Sequence, residues 1–252
     1  MNQWHPKLPE VVCAAESVTD EVILGINGTF HPDHYPVLFQ FKKLRYEFIK
    51  WQGYGKTKNK LASLAKYDWI LSLDVDEVLS SQLCTAIKKV DLTQLNVIYS
   101  FGMLHFLGDQ PIRFGEWGRG KQKFLRFYHK GFTAWGEQVV HEQLILPPNA
   151  IVKKLLGKVK HYTVKDEREL LLKSAYYADL SLEKYRRQNK QFWLLRRFSS
   201  SVFRFLKEYI FYAGFLDGKA GYQVAKANAY YTYWKYGGLK DISVIKKFKK
   251  KM

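Results

Sequence analysis

The segment from Gly53 to Leu79 predicts a loop, a helix and a strand in immediate succession. It opens with a glycine-bounded basic turn, GYGK, and continues with apolar residues at helical spacing. A short apolar run, WILSL at positions 69–73, then ends on the acidic sequence DVDE. An apolar run of this length, bounded by charge, is typical of a buried strand. Because ligands bind at the carboxyl ends of the strands in an open α/β sheet, the acidic residues are expected at a ligand site.

The two aspartates, Asp74 and Asp76, are expected to converge if the strand continues through them, since residues i and i+2 of a strand point to the same side. Two converging carboxylates suit Mg²⁺ or Mn²⁺, which proteins often hold with one or two carboxylates and the phosphates of a substrate. Such triplets also occur in many solvated turns, and context decides between the two interpretations. Because apolar residues flank this triplet on both sides, the metal-site interpretation and the solvated-turn interpretation are equally favoured.

Composition and charge limit the class of protein. Of the 252 residues, 47% are apolar and 16% aromatic, which excludes a disordered chain and predicts one α/β domain with an appendage. The net charge of +18 predicts an anionic partner, which could be phosphate, nucleic acid or an acidic membrane leaflet. Two cysteines, Cys13 and Cys84, are too few for a disulfide framework and fit a reducing cytosol.

The sequence contains neither a predicted transmembrane span nor a secretory signal. No uncharged apolar run is long enough to cross a bilayer. The first residues, MNQWHPKLPEVV, lack the basic segment and the apolar core of a signal peptide. Any attachment to a membrane is therefore expected to be peripheral.

Hydrophobic periodicity predicts further elements along the chain. Strands are expected at 22–26, 96–107 and 121–129, with shorter candidates at 141–146 and 159–163. Helices are expected at 11–15, 36–50, 170–178, 193–215 and 227–234. The predicted organisation is an α/β domain at residues 1–165, followed by a basic and aromatic helical extension at residues 166–252.

A second group of candidates for chemistry follows the glycine turn at Gly136. His141 and Glu142 place an imidazole and a carboxylate side by side, and either could remove a proton from a hydroxyl group. The alternative is a solvated pair at a strand end. His161 could bind a metal through a neutral imidazole, or it could be a hydrogen-bonded core residue. Four basic residues could contact a diphosphate or simply lie on the surface: Lys56, Lys58, Arg119 and Arg126.

The helical extension mixes basic and aromatic residues. Arginine and lysine at 196, 197, 204 and 207 alternate with tryptophan, phenylalanine and tyrosine between 193 and 209. A helix with one basic and one aromatic side can lie in a membrane interface, and clustered basic residues favour anionic leaflets. The alternative is a helix that covers the sheet with its charges exposed. The aromatic residues form no recognisable RNA-binding pattern, so nucleic acid is not the expected partner.

Several short motifs in a fixed order resemble the family 2 glycosyltransferases with a GT-A fold. They span nearly the whole chain: ESV at 16–18, DEVI at 20–23, WQGYGKTKN at 51–59, DWILSLDVDE at 68–77, VHE at 140–142, HYT at 161–163, FLDG at 215–218 and YY at 230–231. More narrowly, the sequence is similar to bacterial lipopolysaccharide inner-core β-glucosyltransferases. The resemblance implies a Rossmann-like mixed sheet flanked by helices, with inverting transfer of a sugar, glucose in the narrower group, from a nucleotide-diphosphate donor.

The resemblance also implies roles for individual residues. Asp76 would hold a divalent cation, Mg²⁺ or Mn²⁺, and Asp74 would help through the metal or the donor ribose. Glu142, beside His141, would deprotonate the acceptor hydroxyl. The remaining implied contacts are Lys56 and Asn59 on the donor side and His161 in the metal shell. Arg126 is a further donor-side candidate because of its charge. The implied acceptor is a lipid-linked lipopolysaccharide core, reached from the cytoplasmic face of the inner membrane at an anionic membrane surface.

Two departures from the family pattern concern the nucleotide base. The family's first strand, which ends in a Thr-x-x-Asn-Glu loop, has no counterpart before the helix at Val11. Where the next strand of the family ends in Asp-Ser, this chain has Ile26-Asn27-Gly28-Thr29. Either the sequence starts too late, or base recognition is altered or lost. The second hypothesis is therefore a catalytically impaired GT-A-like protein that binds anionic glycolipid at the membrane surface.

Overall fold

The computed structural model describes residues 1, 4–119, 124–136, 142–186 and 193–238. They fall into two compact units, one of residues 1–103 and 121–161 and the other of residues 104–120 and 162–252. The described part of the chain contains the strands β1 (Val22–Ile26), β2 (Leu44–Phe48), β3 (Trp69–Leu71), β4 (Glu77–Leu79), β5 (Val97–Leu107), β6 (Gln110–Ile112), β7 (Phe124–His129) and β8 (Ile151–Val164). Its α-helices are α1 (Leu8–Glu16), α2 (Tyr54–Leu64), α3 (Ser81–Ile87), α4 (Gly115–Gly118), α5 (Glu167–Arg186), α6 (Trp193–Leu206) and α7 (Gly218–Tyr233).

Two sheets organise these strands. The larger has the order β3-β7-β5-β8-β4, with β6 paired to β5, and the smaller is the parallel pair β1-β2. The pairs β3-β7, β4-β8, β5-β6 and β5-β7 are antiparallel. Mixed sheets with flanking helices make this an α/β fold of the Rossmann-like GT-A type, which confirms the fold class predicted from the sequence. The division into domains at residue 165 stays a prediction.

The core of the first unit has three parts. Leu83, Val97 and Val159 lie at the centre of one cluster, where α3 packs on the larger sheet. A second cluster joins α1 to β1 and includes Leu8 and Ile26. The third surrounds Trp135, described below with the site. Burying each large side chain contributes roughly 1.5–3 kcal/mol, so these clusters fix the strands that carry the polar residues.

The side chain of Leu61 on α2 lies close to Gly25 on β1. A Cβ atom on Gly25 would lie 2.7 Å from Cδ1 of Leu61, so a larger residue here would require the Leu61 side chain to shift. The helix begins after Gly53, whose φ of +94° favours glycine. The chain therefore turns sharply and sets α2 against the smaller sheet, as the segment GYGK indicated.

The helix predicted at 36–50 is wrong. The structure has a 3₁₀ turn at Pro36–Gln40 and the strand β2 in its place, and β2 pairs in register with β1. The apolar side chains of Leu38, Phe41 and Leu44 had suggested one helix face. They do enter one cluster, but they reach it from a turn and a strand. Pairing with β1 decides the local structure here, and a single-sequence pattern does not contain that information.

Other element predictions agree with the structure in part. The strands at 22–26 and 96–107 and the helix at 11–15 are confirmed. The strand at 121–129 is confirmed for the described residues Phe124–His129. The predicted strand at 159–163 is too short, because β8 begins at Ile151 and its first half is mostly exposed and lacks the alternation of apolar and polar residues. Of the candidate at 141–146, the described part contains only a single bridge from Leu144 to Trp135.

The second unit is mainly helical. Its apolar cluster joins α5 and α7 to the short strand β6 and includes Leu170, Val224 and Ala227. The helix predicted at 193–215 ends earlier, because α6 passes at Lys207 into a π-helical turn and then into a 3₁₀ turn at Gly214–Asp217. The last helix starts earlier than predicted, at Gly218. None of the helices in the described residues combines the length and the apolar character needed to cross a bilayer.

Both acidic residues between α6 and α7 face inward. The carboxylate of Glu208 is buried and accepts a hydrogen bond from the backbone N–H of Glu116 at 2.8 Å. Burial raises the pKa of Glu208 above its ordinary value. The carboxylate of Asp217 accepts hydrogen bonds from the backbone N–H groups of Arg113 and Phe114 at 2.8–3.1 Å. These two carboxylates therefore hold the segment between α6 and α7 to α4 and the residues just before it.

Candidate active site

The acidic segment DVDE lies in a turn, not on a continuous strand. Strand β3 ends at Leu71, and the backbone N–H of Glu77 donates to the carbonyl oxygen of Asp74 at 3.0 Å, which closes the turn into β4. The assumption that one strand carries both aspartates is therefore wrong. As a result, Asp74 and Asp76 face different partners.

Lys58 connects Asp74 to Glu142. Its Nζ atom lies 3.3 Å from Oδ1 of Asp74 and 3.1 Å from Oε1 of Glu142. The ammonium group also lies 4.5 Å from the centre of the Trp135 ring. Only 10% of the Lys58 side chain is exposed, so these interactions are weakly screened by water. Helix α2 thus places one cation between two carboxylates that are far apart in the sequence.

Arg126, on β7, approaches Asp74 from another side. Its Nη2 atom lies 3.4 Å from Oδ2 of Asp74 and 3.3 Å from Oε1 of Glu77. Burial opposes the charged guanidinium, but the carboxylates of Glu77 and Asp74 outweigh this effect and raise the pKa of Arg126. Its Nη1 atom is buried and has no hydrogen-bond partner within the described residues. An anionic oxygen atom would satisfy this donor.

Glu77 supports this arrangement, although no sequence pattern had predicted a role for it. It is almost fully buried at the start of β4, and its Oε2 atom accepts a hydrogen bond from the backbone N–H of Asp74 at 2.9 Å. Burial and the nearby charge of Asp74 raise the pKa of Glu77, although Arg126 opposes the shift. The signal that could have revealed it is a charged residue at the first position of a buried strand, since such a charge needs a partner.

Asp76 pairs with His161 across the β4–β8 ladder. Their Oδ2 and Nε2 atoms lie 3.2 Å apart, and His161 is the strand partner of Glu77. Burial acts to raise the pKa of Asp76, but the hydrogen bond and charge of His161 outweigh it and hold that pKa below its ordinary value. Conversely, burial acts to lower the pKa of His161, and Asp76 more than offsets it and raises that pKa.

The Asp76–His161 pair has donor chemistry that fits a divalent cation. Two neighbouring ligands of an octahedral Mg²⁺ site lie about 3 Å apart, which is close to the separation of the two side-chain atoms. No group of three or more histidine, cysteine or acidic side chains suited to a metal occurs in the part of the chain that the structure describes. The fit is therefore to a site with few protein ligands that substrate phosphates complete. The metal roles of Asp74, Asp76 and His161 stay predictions.

Asn59 fastens the segment that leads to Glu142. Its Nδ2 atom donates to the carbonyl oxygen of Trp135 at 2.9 Å, and its Oδ1 atom accepts from the N–H of Trp135 at 2.8 Å. Across this segment, the N–H of Gly136 donates to the carbonyl oxygen of Gln143 at 2.8 Å. The indole N–H of Trp135 donates to Tyr128, whose pKa burial raises to about 12. Adjacent residues of α2 therefore hold Glu142 and the backbone beside it.

Replacing Asn59 by alanine is expected to lower the free energy of unfolding by about 1–3 kcal/mol, because two buried backbone groups of Trp135 lose their partners. Chemical denaturation would measure the change. The matched control is alanine at Ser63, an exposed position on the same helix, where little change is expected. An unfolding free energy equal to that of the control would show that the two hydrogen bonds between Asn59 and Trp135 do not stabilise the fold.

Three further residues were candidates from the sequence: Lys56, Arg119 and His141. Lys56 is exposed in the first turn of α2. Arg119 belongs to the second unit, where its guanidinium lies 4.2 Å from the centre of the Tyr212 ring. His141 lies outside the described residues. In the first unit the structure thus brings together Lys58, Asp74, Arg126 and Glu142 directly, and the donor-side and catalytic roles of these residues stay predictions.

Comparison with known proteins finds relatives that are named as glycosyltransferases. No protein-family model matches the sequence. An uncharacterized glycosyltransferase of Rickettsia typhi is 23% identical over 251 residues, which cover 94% of this chain and 84% of the relative. An uncharacterized glycosyltransferase of Rickettsia prowazekii is 23% identical over 253 residues with the same coverage, and one of Rickettsia conorii is 22% identical over 258 residues. Similarity to glycosyltransferases over nearly the whole chain supports a glycosyltransferase enzyme, with sugar transfer as its activity.

Proposed function

We propose that the protein is a metal-dependent, inverting glycosyltransferase of family 2. In this proposal it transfers a sugar, glucose, from a nucleotide-diphosphate donor to a lipopolysaccharide core or related glycan. The observation that carries the proposal is the position of Lys58 between Asp74 and Glu142. One cation there contacts both the acidic turn expected to receive the donor and the carboxylate expected to activate the acceptor. The relatives support sugar transfer, and the sequence resemblance supports the finer assignment.

The donor side has two cations and a metal-binding pair. Lys58 and Arg126 contact the diphosphate, and the buried Nη1 atom of Arg126 gains an anionic partner in doing so. Asp76 and His161, with Asp74, would hold the divalent cation, which when bound supplies Lewis-acid neutralisation of the departing diphosphate. Lys56 and Asn59 complete the donor side in this proposal.

On the acceptor side, Glu142 takes the proton of the acceptor hydroxyl. The hydroxyl oxygen forms a bond to the anomeric carbon while the bond from that carbon to the diphosphate oxygen breaks on the opposite face, so the configuration inverts. The proton moves to a carboxylate oxygen of Glu142, and the negative charge leaves with the nucleoside diphosphate. His141, next in the chain, is the second candidate for receiving the proton.

Lys58 links the two sides of the reaction. Before the donor binds, its ammonium group is shared between Asp74 and Glu142. A diphosphate carries more negative charge than either carboxylate and draws Lys58 toward itself. Glu142 then loses its ion-pair partner and is free to accept a proton. In this proposal Lys58 is a donor ligand and also a positioning residue for Glu142.

The acceptor is proposed to be lipid-linked and phosphorylated, at the cytoplasmic face of the inner membrane. The net charge of +18 supports this choice, because phosphate-bearing glycans and anionic headgroups both attract such a protein. Peripheral association would bring the active site to an acceptor that cannot leave the bilayer.

Methionine in place of Lys58 is expected to weaken donor binding by about 10- to 100-fold, since a charge-assisted hydrogen bond contributes roughly 1.5–3 kcal/mol. Titration calorimetry with a panel of nucleotide sugars, in the presence of Mn²⁺, would identify the donor and measure the change. The control is Lys60→Met, which removes an exposed lysine of the same helix. If the wild-type protein gives no heat with any donor, the protein does not use a nucleotide sugar and the proposal fails.

A further inference from the structure

The helix α6 and the turns that follow it expose a row of large apolar side chains. Phe198, Val202, Leu206 and Ile210 recur at every fourth residue and are all exposed. Phe203 and Phe211 extend the same segment and are 60% and 71% exposed. Soluble proteins rarely leave a contiguous apolar surface of this kind to water, and such surfaces mark sites of interaction. We call these six residues the α6 surface.

The charges beside the α6 surface are positive. Between residues 193 and 219 the sequence has five basic residues, Arg196, Arg197, Arg204, Lys207 and Lys219, and two acidic ones, Glu208 and Asp217. Both acidic side chains are used inside the unit, as described above. Arg196 and Lys219 are exposed. Arg204 is ion-paired with Glu116 and Glu208, and the other four basic residues leave a net positive charge beside the apolar side chains.

We propose that the α6 surface is a membrane-docking face that inserts its apolar side chains between the headgroups of an anionic bilayer. Aromatic and aliphatic side chains on one side of a helix, with basic residues beside them, have the composition that binds in the interfacial region. Each basic residue near an anionic leaflet adds about 1 kcal/mol of attraction. Docking itself is inferred from the α6 surface. Only its purpose, access to a lipid-linked acceptor, rests on the proposed function.

The charge argues against a second copy of the chain as the occupant. Two copies would bring together two basic borders on proteins that each carry a net charge of +18, and like charges in an interface oppose association. An anionic leaflet supplies the opposite charge over the whole border. Electrostatic complementarity therefore selects the membrane.

Vesicle binding tests this surface directly. Serine is placed at both Phe203 and Phe211, and flotation is measured with vesicles of equal parts phosphatidylglycerol and phosphatidylcholine. Wild-type protein is expected to bind these vesicles and to bind phosphatidylcholine alone much more weakly. The double variant is expected to lose affinity for the anionic vesicles by about tenfold or more, because it no longer buries two aromatic side chains.

The matched control is Phe39→Ser in the first unit, since Phe39 is also 60% exposed and lies far from α6 in the sequence. It should bind vesicles as the wild type does. Thermal unfolding of each variant checks that the fold is kept. Equal vesicle binding by the double variant and the wild type overturns the proposal. So does a wild-type dimer in solution that the double variant abolishes, because the surface would then be a contact between copies.

Activity separates this inference from the proposed function. Transfer to a soluble, lipid-free glycan acceptor should be unchanged in the double variant, whose substitutions lie in the second unit. Normal vesicle binding by a protein without transferase activity would reject the proposed function and leave the docking face standing. Transferase activity without vesicle binding would do the reverse.

Discussion

Glutamine at position 142 is expected to slow sugar transfer by about 10²–10⁴-fold while leaving donor binding in place. A positioned general base contributes about this factor, and glutamine keeps the shape of the side chain but cannot take the proton. Lys58 loses its ion pair with position 142 in this variant and keeps the one with Asp74, so donor affinity should stay the same or rise. Release of nucleoside diphosphate under saturating donor and acceptor measures the rate, and calorimetry measures the affinity.

Two comparisons make the result specific to the base. Glu10→Gln removes an exposed carboxylate of α1 and should leave the rate unchanged. If Glu142→Gln transfers sugar at the wild-type rate, another group accepts the proton, and His141 becomes the first residue to replace. A loss of donor binding together with turnover would instead indicate that Glu142 holds the donor pocket in shape.

Alanine at position 76 is expected to reduce transfer by on the order of 10³-fold or more, because metal ions supply several kcal/mol of charge stabilisation. The loss should appear in the Mn²⁺ dependence as well as in the rate. Wild-type protein should bind Mn²⁺ more tightly in the presence of nucleoside diphosphate, and the variant should lose this enhancement. Retained transfer by Asp76→Ala would remove the metal role from this residue.

The pH dependence of stability provides a separate readout for the same variant in the presence of a chelator. The lowered pKa of Asp76 adds stability that is present above its ordinary value of 3.8 and is lost as the pH falls through the folded pKa. The raised pKa of His161 adds stability that is present below its ordinary value of 6.5 and is lost as the pH rises through the folded pKa. The difference between wild type and Asp76→Ala should therefore be largest between these two values. A difference independent of pH would contradict the pairing with His161.

The sequence predicts well those elements whose pattern is strong in itself. Strand β5 is a long run of β-branched and aromatic residues that the structure buries at almost every position. The mixed α/β class follows from such strands alternating with helical segments. The helix predicted at 36–50 fails because the partner of β2 lies about twenty residues earlier, and only that pairing distinguishes a strand from a helix there.

The site was predictable as a set of residue types and not as a geometry. Spacing, charge and resemblance indicated Asp74, Asp76, Glu142, Arg126 and His161 as candidates. Their partners were not, because Lys58 meets Glu142 and Asn59 meets Trp135 across 84 and 76 positions of the chain. The role of Glu77 depends on burial, which becomes visible only once β4 is paired.

The close contact of Gly25 with Leu61 bears on the proposed site, although neither residue belongs to it. Helix α2 carries Lys58 and Asn59 at consecutive positions. Any displacement of the helix therefore moves the ammonium group of Lys58 and the hydrogen bonds from Asn59 to Trp135 at the same time. Gly25 of β1 has no side chain, and this leaves room for the Leu61 side chain of α2. A methyl group added at Gly25 would displace the Leu61 side chain, and any part of that displacement that reaches the backbone of α2 would move both contacts of the proposed site together.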